Sequence, residues 1–291
     1  MTYYQFIQAV ESRMKEVVKE ELSLSIYTTE KNNGVIRQGI TISKKGINIS
    51  PTIYLEEYYE QYLDGNSLDN IVEDIVYLYH HVQLNKSWDE DQITCFDSIK
   101  DKIVYRLINR ESNESLLEGV PYVPYLNLAI VFYVMLEMNN NGMACMLIRK
   151  EHLEMWQVTE SQIYNYAKEN TWHLLPCEFH TMEAVMKEYN KKGSYIGMEI
   201  LHVLTNKIRN FGATVILYEG CLDMIGDYLG DNYFVLPSSV HEMIIVAEKE
   251  APWGGAGLSQ MVREINRTQV EAEDVLSDIV YYYDREKKKL L

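Results

Sequence analysis

Tyr233-Phe234-Val235-Leu236-Pro237-Ser238-Ser239-Val240-His241-Glu242 reads as a short apolar strand stopped by a proline, followed by two hydroxyls and a His-Glu pair. Proline cannot donate to a sheet ladder, so the strand ends there and a turn begins. The same order occurs earlier in the chain. Leu175-Pro176, His180 and Met182 recur as Leu236-Pro237, His241 and Met243, each 61 residues on. Ahead of them, Val134, Ala144 and Leu153 recur as Val203, Ala213 and Leu222, each 69 residues on.

These echoes predict a degenerate duplication of strand, turn, strand, helix and strand, over about 127–182 and 199–247. Around it the pattern predicts an α+β fold, a mixed or antiparallel sheet flanked by helices. Tyr3, Phe6, Ile7, Val10, Met14 and Val17 recur at three and four, which marks an amphipathic helix from Thr2 to about Glu21. Leu22 to Ile26 and Ile36 to Ile42 alternate about Asn32-Asn33-Gly34, the signature of a hairpin. Ser67 opens a helix whose stripe is Leu68, Ile71, Val72, Ile75, Val76, Tyr79 and Val82. Helix and then strand are expected between Trp88 and Asn109.

The polar run Glu111–Glu118, with Pro121 and Pro124 after it, places a module boundary near residue 120, giving modules 1–120 and 121–291. Leu128–Glu137 and Ala144–Ile148 then read as strands about Asn139-Asn140-Asn141-Gly142, and Thr159 with Gln162 as a capping box. Near the end, Gly254 to Gly257 reads as a loop before a helix. Thr268 to Glu271 reads as a further capping box, and Val275 to Tyr283 as a last helix whose Asp278–Tyr283 echoes Asp74–Tyr79.

Charge narrows the function classes. Twenty-seven Lys and Arg against 43 Asp and Glu leave a net charge of −16. A field of that sign repels nucleic-acid phosphates and anionic membranes, so neither is an expected partner. The longest apolar run, Leu126–Leu136, is too short to span a bilayer. Cys95, Cys145, Cys177 and Cys221 form no CxxC pair, and the N-terminal dozen residues turn polar, so a cytoplasmic protein with reduced thiols is expected.

Ser238, Ser239, His241 and Glu242 are the candidate catalytic side chains, because a hydroxyl beside an imidazole and a carboxylate can act as nucleophile and base. Against this, no GxSxG elbow accompanies them, and a serine after a strand-ending proline also suits a turn cap. His241-Glu242 lacks the second histidine of HExxH, and His80-His81 diverge on a helix, so neither a metal nor a cofactor is expected. The Gly254–Gly257 run lacks the Walker lysine and the GxGxxG order.

The chain holds 23 tyrosines, and Tyr58 and Tyr62 share one short acidic helix. Tyrosine suits both interfaces and the rim of a core. With Trp253 beside the glycine run, these two are the candidate binding residues. The expected function is thus a non-enzymatic, acidic module that binds a protein or peptide. The alternative is a small-molecule hydrolase or transferase using Ser238 to Glu242.

Val203-Leu204-Thr205-Asn206, Phe211-Gly212-Ala213, Leu236 to Glu242, Val262 to Asn266 and Leu276-Ser277-Asp278 resemble a family of uncharacterised proteins, known as a domain of unknown function, from anaerobic Gram-positive gut bacteria. The resemblance runs nearly end to end and is strongest over Met198–Asp284. Met146–Asn170 is more distantly similar to a second uncharacterised family, of cytoplasmic bacillus proteins. The resemblance implies a bacterial, intracellular setting and carries no activity.

Overall fold

The computed structural model describes residues 1–18, 22–44, 52–82, 93–139, 142–189, 200–237 and 239–291. The helix expected to begin at Trp88 thus starts outside the described residues. The chain divides into two compact units, Met1–Ile99 with Met135–Cys145, and Lys100–Val134 with Met146–Leu291. Among the described residues the strands form three antiparallel sheets, which with the helices make an α+β fold.

The first unit begins with α1 (Tyr3–Val17), whose start is fixed reciprocally: Thr2 Oγ1 accepts from the Gln5 amide and Gln5 Oε1 from the Thr2 amide. β1 (Leu22–Glu30) and β2 (Ile36–Lys44) form the expected hairpin, in register from Leu22 opposite Lys44 to Glu30 opposite Ile36. Its turn puts Asn33 and Gly34 at φ of 60° and 71°, conformations that Asn and Gly tolerate best. β3 (Thr52–Tyr54) extends this sheet, and α2 (Glu56–Leu63), α3 (Leu68–Val82) and the short α4 (Phe96–Ile99) follow. The predicted stripe of α3 is core: Ile71, Val72, Ile75 and Tyr79 pack with Phe6, Val10 and Met14 of α1 and Ile40 and Ile42 of β2.

In the second unit β4 (Ile103–Asn109) pairs along its whole length with β6 (Leu128–Asn139), and β5 (Tyr122–Tyr125) pairs with β6 on its other side. The strand at 103–109 therefore packs with the chain that follows it, although it precedes the Glu111–Glu118 segment read as the boundary. That polar segment holds α5 (Glu114–Glu118), and β7 (Gly142–Leu147) pairs with β6, the Met135–Cys145 part of these two strands belonging to the first unit. Next come α6 (Lys150–Trp156) and α7 (Glu160–Leu174), the latter capped by Thr159 and Gln162 as their spacing predicts.

The remaining elements are β8 (Cys177–Thr181), α8 (Met182–Glu188), β9 (Leu201–Asn206), a 3-10 turn at Gly212–Leu217, α9 (Cys221–Leu229), β10 (Tyr233–Leu236), β11 (Met243–Ala247), α10 (Gly254–Thr268), β12 (Tyr281–Asp284) and β13 (Lys289–Leu290). They build a six-stranded sheet in the order β13-β12-β10-β11-β9-β8.

This order corrects three expectations. The glycines Gly254–Gly257 are the first turn of α10 and not a loop, because Leu258 and Val262 bury that helix against Phe234 and Leu236. The last helix is absent: Tyr281 and Tyr283 are buried in alternation with Tyr282 and pair with β10 as β12, so a period of two overrides the helical stripe. With the helix goes the Thr268 capping box, since the Thr268 hydroxyl instead donates back to Glu264 O from the last turn of α10.

The sequence echoes do not correspond to repeated structure. Ala144 lies in β7 but Ala213 in the 3-10 turn, and Leu175-Pro176 precede a strand where Leu236 ends one and Pro237 follows it. Four identities at one spacing and three at another do not specify which partner a segment pairs with, and pairing decides strand from turn. No helix among the described residues is long and apolar enough to cross a membrane.

Candidate functional site

The stretch after β10 is held by main-chain bonds to the segment that precedes β12. The Ser277 amide donates to Pro237 O at 2.9 Å, the Val240 amide to Asp274 O at 2.8 Å, and Ser239 bridges Val275. Ser238 lies outside the described residues. Ser239 is buried, and its Oγ accepts from the amide of His241 at 3.0 Å, a local hydroxyl turn.

Both nitrogens of the His241 ring have partners. Nδ1 accepts from the Phe211 amide at 3.2 Å, and Nε2 lies 3.1 Å from Asp274 Oδ1. Asp274 raises the His241 pKa above its ordinary value, while burial and Arg106 oppose it. The Phe211 amide favours the tautomer with its proton on Nε2. His241 also closes the corner through its carbonyl, which accepts from Thr205 Oγ1 at 2.7 Å. Buried Arg106 of β4 sits between the rings of Phe211 and Tyr133, 3.7 Å and 4.1 Å from their centroids, and its Nε has no hydrogen-bond partner. Ring faces on both sides offset part of that desolvation.

His241 and Glu242 face a cavity of about 440 Å³ together with Ser239, Thr205, Arg209 and His180. The two histidines that the sequence sets in equivalent copies thus share one cavity, His180 from β8 and His241 from the corner. Burial lifts the Glu242 carboxyl above the usual carboxylate range, Asp274 adding to this and His241 opposing it. Arg209 is already neutralised, 2.5 Å from Glu188 and 3.8 Å from Glu178, so it is not an unpaired cation for an anionic ligand. Because the imidazole bonds to Phe211 and Asp274, it supplies no base to Ser239 in this arrangement.

Asp274→Asn is expected to lower the titration midpoint of His241, followed by the imidazole proton resonances. The wild-type pair should stabilise the fold fully below about pH 6.5, the unfolded histidine value. That contribution should fade as pH rises through the raised folded value. A midpoint unmoved by the substitution would show that Asp274 does not hold the ring.

A second cavity, about 710 Å³, opens elsewhere in the same unit. One side is α7, through Lys168, Trp172 and His173. The other is Tyr218, after the 3-10 turn, with Cys221 and Met224 of α9, and Cys177 of β8 and Tyr105 of β4 also line it. Trp172 and Met224 are 51% and 63% exposed. Tyr218, by contrast, is buried, its hydroxyl donating to Leu175 O at 2.7 Å. Lys168 and Glu219 pair at 3.1 Å on the rim.

None of the candidate residues read from the sequence lines this second cavity. The sequence offered a partial signal for it: α9 is strongly amphipathic, and Met224 and Tyr228 fall on its exposed face. The meeting of α7 with the start of α9 has no local signature.

Tyr58 and Tyr62, the candidate binding residues of α2, pack on the core of the first unit. Tyr62 lies against Phe6 at 5.5 Å and Tyr59 at 6.4 Å, and burial raises the Tyr58 pKa. Both lie on the rim of that core. Trp253 is 69% exposed just before α10.

Among the described residues no group of three His, Cys, Asp or Glu side chains could hold a metal ion. No curated protein and no solved structure matches the chain. The model of a family of unknown function, DUF5688, matches residues 3–285, and the chain belongs to that family.

Proposed function

We propose that this chain is an acidic, cytoplasmic bacterial binding module that takes an apolar anchor residue of a basic protein or peptide in the 710 Å³ cavity. The observation that carries the reading is the cavity itself. Its volume falls within the roughly 300–1,000 Å³ of typical ligand sites. Its mouth pairs a rigid aromatic, Trp172, with an adaptable thioether, Met224, both largely exposed. Tryptophan and methionine are enriched where partners dock, and an anchor filling a pocket commonly dominates binding. The net charge of −16 favours a basic partner and speeds its encounter.

The hydrolase or transferase alternative needs a base for Ser239, and both nitrogens of the neighbouring imidazole are bonded elsewhere. The bacterial, cytoplasmic setting follows the resemblance read from the sequence and the free-thiol state of the four cysteines.

Lysine-rich peptides carrying a central Leu, Phe or Trp should bind the wild type in calorimetric titrations. Trp172→Ala and Met224→Lys should each weaken that binding by roughly 30-fold, the scale of an interface hot spot. Equal binding by the variants, or binding that depends on lysine content alone, would overturn the reading.

A further inference from the structure

The cavity of about 440 Å³ beside the corner has one face of the six-stranded sheet as a wall. His180 of β8, Val203 of β9 and Ile244 of β11 are cross-strand partners in sequence, so their side chains stand in one row on that face. Thr205 lies two residues on from Val203 and joins the same face. Met182 and Val185 of α8 add apolar surface to the lining.

The charges around this cavity are unevenly matched. Its three basic side chains each have an acidic neighbour that does not line it: Arg209 has Glu188 and Glu178, His180 has Glu178 at 3.6 Å, and His241 has Asp274. Glu242 is the one carboxylate in the lining. Among the described residues it makes no hydrogen bond and no close ion pair. A half-buried carboxylate without a partner carries a desolvation cost that a cation beside it would offset. Burial is accordingly the largest influence on the Glu242 carboxyl, and it raises the pKa.

The hydroxyls narrow the kind of cation. Thr205 donates its proton to His241 O, and Ser239 Oγ accepts from the His241 amide, so each oxygen keeps a lone pair to accept with. Carboxylate and hydroxyl oxygens together suit an ammonium group, which carries three donors and no acceptor. We infer that this cavity binds a small free primary amine, its ammonium group donating to Glu242 and its apolar body lying against Met182, Val185, Val203 and Ile244. The volume falls within the roughly 300–1,000 Å³ of small-molecule sites. This is a different cavity from the 710 Å³ one, so the inference holds whether or not a peptide binds there.

Hexylamine titrated into the full chain at pH 7 and about 0.15 M salt, where unpaired surface attraction is screened, tests this. The imidazole proton resonances report the place of binding. Those of His180 and His241 should shift to saturation, because both rings line the cavity. 1-Hexanol has a similar body without the charge and should bind roughly tenfold more weakly, the scale of one hydrogen bond to a charged group. Glu242→Gln, of nearly the same shape, should abolish that preference and leave hexanol binding unchanged. Nα-acetyl-lysine methylamide presents the same ammonium group from a main chain, and should bind more weakly than hexylamine because its amides would lose water against the apolar wall. Hexanol bound by the wild type as tightly as hexylamine would overturn the inference. So would hexylamine that leaves the His180 and His241 signals unmoved, tighter binding of the lysine derivative, or a Glu242→Gln variant that keeps the preference for the amine. The first three readouts are made on the wild type, so they do not depend on a variant folding.

Discussion

Tyr233→Ala is expected to destabilise the second unit by about 3–5 kcal/mol, the cost of removing a fully buried aromatic ring. Tyr233 is completely buried in β10, between Ala247 of β11 and Tyr283 of β12. Its ring stacks on Tyr283 with centroids 4.9 Å apart, a geometry that adds to simple burial. Its hydroxyl donates to Leu222 O at 2.9 Å and so ties the sheet to the first turn of α9. Tyr233→Phe keeps the ring and loses only that bond, so about 1 kcal/mol is expected from it. Urea unfolding of both variants checks the pair. If Tyr233→Ala cost no more than Tyr233→Phe, the ring would not be what joins this sheet together.

Gly212→Ala should cost about 3 kcal/mol, the upper part of the range for forcing atoms into a packed site. The position is buried, and a methyl group there would overlap Thr205 Oγ1 and come within 2.5 Å of His241 O and 2.6 Å of the Asn206 amide. Two of those atoms are backbone and cannot swing aside. The third makes the bond from Thr205 to the His241 carbonyl that closes the corner. The substitution should therefore both lower the urea midpoint and shift the His241 ring resonances. A variant with unchanged stability and unchanged His241 signals would mean that β9 and the corner do not meet as described.

Much of the first unit was legible in its residues. The stripes of α1 and α3 and the Asn-Gly turn of the β1–β2 hairpin are local signals, set by residues a few positions apart. The same holds for the cap of α7 and for β4, β6 and β10, whose apolar runs admit few other uses. The candidate site was legible only as a list of side chains. Ser239, His241 and Glu242 do face one cavity, but Asp274, Phe211, Thr205 and Arg106, which decide what the imidazole can do, come from four separate places in the chain.

Asp74–Tyr79 and Asp278–Tyr283 show most directly where local reading ends. The hexamers are nearly alike, yet the first lies in α3 and the second ends in β12. Around the first, Ile71, Val72, Ile75 and Tyr79 continue a helical stripe onto a core. Around the second, Tyr233 and Phe234 of β10 offer a strand edge that takes Tyr283 and Tyr282 into register. Burial pattern and pairing partner chose the conformation, because intrinsic propensities differ by less than the free energy of either packing.

Periodicity and bonds between near neighbours suffice for the α+β class, the hairpin, the locally capped helices and the apolar strands of the main sheets, and composition suffices for the acidic charge. Long-range pairing was needed to make Tyr281–Asp284 a strand, to bring His180 and His241 to one cavity and to set Cys177 and Cys221 on the wall of another. Those outcomes depend on which distant segments meet, and no residue carries that information alone. The stretch from Tyr233 to Glu242 takes its shape from partners on both sides: β9 and the Phe211 turn before it, and Asp274 to Ser277 after it.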